Sequence, residues 1–288
     1  MTASNMTSDS ITTSDGVTIR YITAGPTSGP VLLFVPGWCQ TAIQWKKQIA
    51  HFSDTYRVIA IDHRGHGDSG KPSGGYRIAR LAADLHELIT QLDLKNAVII
   101  GHSMGCSVFW SYWDTFSDSR TRVSKVVLAD QGPCMAINPA WEGELATSLA
   151  AIWTPSFVFE LAGALAGPGG EEQVAAVLRT LYTSSISDED FSWTTEQCLK
   201  ADRTNVGSTL LINHATQDWR DVIPTINIPT LVIGAEESPF NKKALEWVAA
   251  QIQGSELEIF TKEEQGSHFM FWENEKKFNQ VVKKFLQK

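Results

Sequence analysis

The chain has 288 residues, a length at which one folded unit buries most of the surface that its extended chain exposes. Its net charge of −8 comes from 32 acidic and 24 basic residues scattered along the sequence, which leaves no basic stripe for nucleic acid. No apolar run approaches the roughly 20 residues that span a bilayer, and the N-terminus has no signal-peptide pattern. We therefore expect a cytoplasmic protein that binds neither nucleic acid nor membrane.

Strand and helix patterns alternate through the first half of the chain. The segment 11–24 alternates in polarity and is interrupted by Asp15-Gly16, a pair typical of a hairpin turn, so it predicts two strands. Short apolar runs predict four more strands at 31–36, 56–61, 97–101 and 123–129. Helices are predicted between them at 42–52, 78–92 and 104–115. This order indicates parallel βαβ units.

The pattern changes after the sixth strand. Residues 133–220 keep helical periodicity without a convincing strand and are rich in aromatic residues, so we interpret them as an inserted helical cap. The aromatic side chains either pack the cap together or face a substrate. Trp153, Phe157 and Trp193 are the candidates for substrate contact, together with His102 in the core.

The alternation returns near the C-terminus, with strands predicted at 230–234 and 257–260 and helices at 243–252 and 275–285. The predicted fold class is α/β, with a mostly parallel, eight-stranded, doubly wound sheet. Residues 1–132 and 221–288 form the predicted core, and 133–220 the cap.

A serine stands in a pattern that presents nucleophiles. Gly101-His-Ser-Met-Gly105 follows a predicted buried strand and precedes a predicted helix, which is the context that gives a G-x-S-x-G match its meaning. The flanking glycines leave room for a tight turn that projects the Ser103 hydroxyl at the carboxyl ends of the strands. Ser103 is therefore the predicted nucleophile.

A serine hydroxyl needs a base, and a histidine titrates in the right range. His268 follows the last predicted strand, so it lies at the same edge of the sheet and is the predicted base. A carboxylate must orient it, and two candidates remain: Asp130 ends the sixth strand, and Glu237 follows the seventh. Asp130 is preferred.

An oxyanion formed by attack on a carbonyl needs hydrogen-bond donors. The backbone N–H of Met104, directly after the nucleophile, is one predicted donor, and the N–H of Trp38 in the loop after the third strand is the other.

Other motifs carry no chemistry in this interpretation. Gly65-His-Gly-Asp-Ser-Gly70 matches a dinucleotide-binding pattern, but Lys71-Pro-Ser-Gly-Gly75 follows it in place of a helix. His63 and His66 are expected in a hydrogen-bonded turn with Asp62 and Arg64, and His86 and His214 on helix surfaces. The four cysteines (Cys39, Cys106, Cys134, Cys198) form no C-x-x-C pair and are expected to be reduced. No cofactor or metal is predicted.

Four motifs follow one another along the chain: Pro36-Gly-Trp38, Asp62-His-Arg-Gly-His-Gly-Asp-Ser69, Gly101-His-Ser-Met-Gly105 and Gly266-Ser-His268. With these motifs in this order, the chain resembles the α/β-hydrolase superfamily over nearly its whole length. Within it, the chain is similar to esterases and non-haem haloperoxidase-like proteins. Pro36-Gly-Trp-Cys39 also resembles the cofactor-independent ring-opening dioxygenases of this fold, which carry their acid where Asp130 stands but tend to have a histidine at the position of Met104.

The resemblance implies hydrolysis of an ester or lactone through an acyl-enzyme on Ser103. The alternative is a cofactor-independent dioxygenase or lyase, in which His268 acts as base and Ser103 orients the substrate. A non-catalytic binding protein on the same scaffold is a third hypothesis. The expected partner is a small-molecule substrate, and the expected state is a monomer or homodimer.

Overall fold

The computed structural model describes residues 6–141, 149 and 151–288. Eight strands form one sheet in the order β1-β2-β4-β3-β5-β6-β7-β8. The strands are β1 (Thr7–Thr12), β2 (Thr18–Ala24), β3 (Val31–Val35), β4 (Arg57–Ile61), β5 (Ala97–His102), β6 (Val123–Ala129), β7 (Thr230–Ala235) and β8 (Glu256–Phe260). Strand β2 pairs antiparallel with β1 and with β4, and all other pairs are parallel.

The central strands are buried along their whole length. Every residue of β3, β5 and β7 is buried, which requires that both faces of the sheet are covered. The helices that surround the sheet and form the insertion are α1 (Lys46–Phe52), α2 (Ile78–Gln91), α3 (Met104–Thr115), α4 (Pro155–Ala166), α5 (Gly170–Arg179), α6 (Asp188–Cys198), α7 (Leu211–Ala215), α8 (Lys242–Gln251), α9 (Met270–Glu273) and α10 (Glu275–Leu286). The predicted fold class is confirmed.

The segment between β6 and β7 is mainly helical in its described residues. Two isolated bridges, Cys134 to Asp218 and Ala136 to Trp153, are its only β pairings there. The boundaries of the cap remain a prediction, and residues 1–5, 142–148 and 150 of the predicted core and cap lie outside the described ranges. Within those ranges, no helix is both long and apolar enough to cross a bilayer.

Local differences from the predicted elements have physical reasons. The first strand begins at Thr7, before the apolar alternation starts, because an antiparallel partner strand supplies its hydrogen bonds. The predicted helix 42–52 begins as a 3₁₀ turn, Ala42–Trp45, before α1. The chain from Gly65 to Gly70 forms a turn closed by a hydrogen bond from the Gly65 N–H to the Gly70 carbonyl, and the next helix starts only at Ile78. No helix N-terminus therefore follows this glycine motif directly, as a dinucleotide site would need.

Arg64 is more than a turn residue. Its guanidinium is fully buried and forms ion pairs with Asp84 of α2 at 2.6 Å and with Asp15 of the first hairpin at 2.8 Å. These ion pairs lower the pKa of Asp15 and raise that of Arg64. The network fastens the hairpin to the helix layer on that side of the sheet.

Candidate active site

Ser103 occupies a strained turn between β5 and α3. Its φ of 53° and ψ of −124° lie in a region that costs a non-glycine residue on the order of 1–3 kcal/mol. The flanking glycines make the turn possible, since a Cβ on Gly105 would lie 2.1 Å from the carbonyl oxygen of Val35, and one on Gly101 would meet backbone at 3.0 Å. The Ser103 N–H donates to the Ala129 carbonyl at 2.8 Å, which fixes the turn to β6.

The structure joins Asp130 to His268. Asp130 directly follows β6, is fully buried, and also has a positive φ of 53°. Its Oδ2 accepts a hydrogen bond from Nδ1 of His268 at 2.6 Å and another, short one from the Ser238 hydroxyl. With Nδ1 as the donor, Nε2 of His268 is left with its lone pair, which is the form that a general base requires.

Burial sets the protonation of this pair. It lowers the pKa of His268, because the imidazolium loses hydration, so the resting histidine is neutral. Burial raises the pKa of Asp130 for the same reason, and the hydrogen bond from Ser238 opposes that rise by favouring the carboxylate. The site therefore holds a neutral imidazole hydrogen-bonded to a carboxyl group, and this carboxyl group, once ionised, would stabilise the charged form of the imidazole.

Glu237 lies elsewhere. Its side chain is exposed, 3.4 Å from Nζ of Lys262, and its backbone N–H donates to Gly266. Of the two carboxylates predicted at this edge of the sheet, the structure brings Asp130 to the histidine and leaves Glu237 at the surface.

Ser103 and His268 line one cavity. Among the described residues, no hydrogen bond joins Oγ of Ser103 to the His268 ring, although both side chains are almost completely buried at this wall. In enzymes without substrate, catalytic hydrogen bonds are often long and tighten in the Michaelis complex. The relevant geometry is thus a shared cavity wall and a base already oriented by Asp130.

The loop after β3 runs beside the serine. A Cβ added to Gly37 would lie 3.0 Å from Cβ of Ser103, so the chain at Gly37 and Trp38 passes directly alongside the nucleophile. Oε1 of Gln40 accepts the Gly37 N–H at 2.5 Å and holds the loop. Met104 begins α3, and the first N–H groups of a helix have no acceptor within it. The two residues predicted to supply oxyanion donors are thus close to Ser103: Met104 follows it directly, and Trp38 follows Gly37, which lies beside it.

The cavity has a volume of about 400 Å³, within the range of small-molecule sites. Side chains from the loop after β3, the insertion and the loop after β8 line it, and most of them are apolar. Trp153 and Phe157 lie in its wall, as predicted candidates for substrate contact, with their rings 5.8 Å apart. Phe157 is partly exposed, so it stands where the cavity meets the surface of the insertion.

The structure places two of the predicted substrate contacts, Trp193 and His102, away from the residues that line the cavity. Trp193 does not line the cavity; its ring stacks on Trp272 at 5.0 Å, and Nζ of Lys46 lies 3.6 Å from its centroid, so it packs the insertion onto the core. His102 is completely buried behind the site, where its Nε2 donates to the carbonyl of His268 at 2.7 Å. Its part is to hold the loop that carries the base.

Residues 30–275 match the family model for the alpha/beta hydrolase fold. The chain belongs to this family. The match covers the whole strand-to-strand path from β3 through β8, including Ser103, Asp130 and His268. The predicted membership, from motifs at the strand ends, is confirmed.

Relatives of this α/β hydrolase carry several names. It is 43% identical to a non-heme chloroperoxidase from Streptomyces lividans over 124 residues, which are 43% of this chain and 44% of that protein. It is 27% identical to 3-oxoadipate enol-lactonase 2 from Acinetobacter baylyi over 97% of both chains. An esterase from Exiguobacterium antarcticum superposes with a TM-score of 0.86 at 24% identity, over 97% of this chain and 99% of the esterase. The family match and these relatives make the chain a hydrolase-class enzyme.

Two polar residues of this α/β hydrolase's site, Ser238 and His214, could not be predicted from the sequence. Ser238 follows Glu237 in sequence, yet it is the serine and not the glutamate that contacts Asp130. His214 was expected on a helix surface, and this is wrong: it is buried and lines the cavity. No sequence motif marks either residue.

Metal ligation was not predicted, and the described part of the chain contains no group of three or more histidine, cysteine, aspartate or glutamate side chains arranged to hold a metal ion. The four cysteines are buried, free thiols. Cys106 Sγ lies 3.3 Å from the Gly101 carbonyl oxygen, where it packs behind the Ser103 turn.

Proposed function

We propose that this α/β hydrolase cleaves a carboxylic ester or lactone of a small hydrophobic or aromatic substrate through an acyl-enzyme. The observation that carries the proposal is the 2.6 Å hydrogen bond between Asp130 and His268 at the wall of a cavity that also exposes Ser103 on its strained turn. The proposed nucleophile follows β5, the proposed acid follows β6 and the proposed base follows β8. These strands are parallel members of one sheet, with β7 between β6 and β8, so the sheet sets the spacing of the three groups.

In the first half of the reaction, Oγ of Ser103 attacks the carbonyl carbon while Nε2 of His268 takes the hydroxyl proton. The carbonyl oxygen becomes an oxyanion, which accepts hydrogen bonds from the N–H groups of Met104 and Trp38. His268 then returns the proton to the departing alkoxide, and the acyl group stays on Ser103. Asp130 stabilises the imidazolium between these two transfers.

In the second half, water repeats the sequence: His268 takes its proton, the hydroxide adds to the acyl carbon, and Ser103 leaves with the proton restored. The mostly apolar cavity supports an acyl or aryl portion of moderate size. The name of one relative, 3-oxoadipate enol-lactonase 2, describes a lactone-cleaving enzyme, and this likeness supports an ester or lactone as the substrate here.

A serine-directed fluorophosphonate tests the mechanism. It should add its mass to the peptide containing Ser103, and Ser103→Ala should abolish labelling and lower ester turnover by up to about a millionfold. Ser107→Ala is the matched control, because Ser107 lies on α3 four residues later, is buried away from the cavity, and has no hydrogen-bond partner to lose. It should label and turn over like the native enzyme. Full ester turnover by Ser103→Ala would refute the acyl-enzyme.

One observation favours a second function. Asp130 orients His268 although Ser103 makes no hydrogen bond to the His268 ring. A histidine oriented in this way could take a proton from a bound substrate directly. This supports a cofactor-independent dioxygenase or lyase in which Ser103 orients the substrate. Turnover of a hydroxyquinolone that consumes oxygen, persists in Ser103→Ala and is lost on replacement of His268 would select this function over hydrolysis.

A further inference from the structure

The backbone of His268 is held from two sides. Its carbonyl accepts a hydrogen bond from Nε2 of His102, in the core, at 2.7 Å. Its N–H donates to the carbonyl of Leu181, in the insertion, at 3.1 Å. The hydrogen bond to Asp130 orients the imidazole, and these two backbone bonds fix the position of the residue that carries it. The insertion thus supplies a contact that positions the proposed base.

Two short segments meet at this contact. We call residues 181–185 of the insertion the strap and residues 265–269 the base loop. The ring of Tyr182 in the strap stacks on the ring of Phe269 in the base loop, with the centroids 4.3 Å apart. The hydrogen bond from the insertion to His268 is therefore part of a packed interface between the strap and the base loop.

One carboxylate accepts hydrogen bonds from both segments. Oε1 of Glu273, the last residue of α9, accepts one from the Thr183 hydroxyl of the strap at 2.5 Å. Its Oε2 accepts one from the Thr183 N–H at 3.1 Å and another, short one from the hydroxyl of Ser267 in the base loop. The donors converge on a group that, when ionised, only accepts. Because Ser267 directly precedes His268, Glu273 joins the two segments beside the bond that holds the base.

These hydrogen bonds are shielded from water. Ser267 is completely buried, and Thr183 is almost completely buried. A hydrogen bond to a charged group is roughly twice as strong as one between neutral groups. Removal of the carboxylate would leave buried donors on both segments without their acceptor, so the base loop would no longer be fixed against the strap.

We propose that Glu273 is a positioning residue that holds His268 at the distance from Ser103 that proton transfer requires. This inference rests on the serine-hydrolase function proposed above. Glu273 does not line the cavity, so it acts through the strap and the base loop and not on the substrate. Leu181 of the strap does line the cavity, so a substrate that fills the cavity contacts the same segment that positions the base.

The test removes one hydroxyl while nearly preserving the size of its side chain. Thr183→Val should lower kcat for an aryl ester roughly tenfold, because it removes a hydrogen bond to a charged group. It should change KM less than about twofold, because Thr183 does not line the cavity. Thr183→Ser keeps the hydroxyl and should restore kcat. Active sites are counted by fluorophosphonate labelling of Ser103, so that kcat refers to folded enzyme alone.

Glu273→Ala tests whether the threonine acts through the carboxylate. It should lower kcat about a hundredfold, the effect of misplacing a reacting group by about 1 Å. Thr183→Val added to Glu273→Ala should then lower kcat little further, because the hydroxyl has already lost its acceptor. Losses that multiply in the double variant would show independent effects and overturn the proposal. If Glu273→Ala does not fold, the Thr183 variants decide.

Thr216→Val is the matched control. Thr216 also belongs to the insertion, and its hydroxyl donates to the Ile212 carbonyl of α7 at 2.8 Å, a bond within the insertion. This variant should leave kcat and KM unchanged. A loss of kcat equal to that of Thr183→Val would overturn the positioning role, since any lost hydroxyl of the insertion would then have the same effect.

The outcomes separate the two proposals. An unchanged kcat in Thr183→Val, with the ester cleaved and Ser103 labelled, overturns the role of Glu273 alone. An equal loss of kcat in Thr183→Val and Thr183→Ser also overturns it, since packing and not the hydroxyl would then matter. A native enzyme that cleaves no aryl ester and takes no label at Ser103 removes the hydrolase function, and the positioning role falls with it.

Discussion

Replacing Asp130 by asparagine should lower kcat by about four orders of magnitude, as the same change does in serine hydrolases with this histidine and aspartate arrangement. Oδ2 of Asp130 accepts hydrogen bonds from His268 and Ser238, while Oδ1 has no partner, so the site holds a carboxylate through one oxygen. An asparagine that turns its amide towards His268 forces the proton onto Nε2, and the base can no longer accept the Ser103 proton. An asparagine that keeps its oxygen there loses the negative charge that stabilises the imidazolium.

Four orders of magnitude correspond to about 5.4 kcal/mol of transition-state stabilisation. The assay is steady-state hydrolysis of an aryl ester, with Tm and circular dichroism of each variant as folding controls. Glu237→Gln is the matched control: this carboxylate is exposed and pairs with Lys262, so its replacement should change kcat less than about twofold. A loss larger in Glu237→Gln than in Asp130→Asn would refute the assignment, as would an Asp130→Asn variant within tenfold of the native rate.

Three further predictions follow from contacts that the motifs do not show. Because burial lowers the pKa of His268 below its ordinary 6.5, and the neutral ring is the active form, kcat/KM should fall with acid only below pH 6.5; an acid limb centred above 6.5 would contradict this. Ser238→Ala should lower kcat roughly tenfold by removing a hydrogen bond to a charged group, and Ser238→Thr should restore it; equal rates in all three proteins would exclude the role. Asp84→Ala should lower the free energy of unfolding in urea by about 3–5 kcal/mol, because it leaves Arg64 short of a buried partner. Asp93→Ala, at an exposed ion pair with Arg122, should lower it far less, and similar losses in the two variants would contradict the prediction.

The sheet could be predicted because its strands are short apolar runs separated by turn residues. Strands β3, β5, β6 and β7 each contain an unbroken run of at least three apolar residues, since both faces of the sheet are covered, and helix α3 begins at the residue predicted. The edge strand β1 was harder to predict from the sequence. Strand β1 begins in the polar sequence at Thr7, where pairing with β2 and not burial sets the conformation.

The identity of the acid was left open by the sequence for a physical reason. Both candidates follow parallel strands and so come to the same edge of the sheet, and strand order says nothing of where each side chain turns. The positive φ of Asp130 turns its carboxylate towards His268, and the backbone of Glu237 bonds to Gly266 with its side chain outward. Neither backbone conformation can be predicted from the residue type alone.

His214 was misplaced because the helical period is broken in front of it. Sequence reasoning assigns faces from a repeat of 3.6 residues, and the π-helical turn Asn205–Leu210 shifts that phase before α7 begins. Residues after such a turn present a different side than the preceding pattern predicts. Single extra residues in helices are often found at functional sites, and here the shift brings an imidazole to the cavity.

Hydrogen bonds to neighbouring strands of the sheet stabilise the strained backbone conformations of Ser103 and Asp130. Ser103 and Asp130 both have a φ of 53°, and each donates its N–H to the neighbouring strand, to Ala129 and Ile233, at 2.8 Å. Those two hydrogen bonds continue the parallel register of β5 with β6 and of β6 with β7 by one residue beyond the strands. The separation of Ser103 and Asp130, the proposed nucleophile and acid, is therefore fixed by strand register. Variation in the insertion can then change the substrate without moving the groups that react.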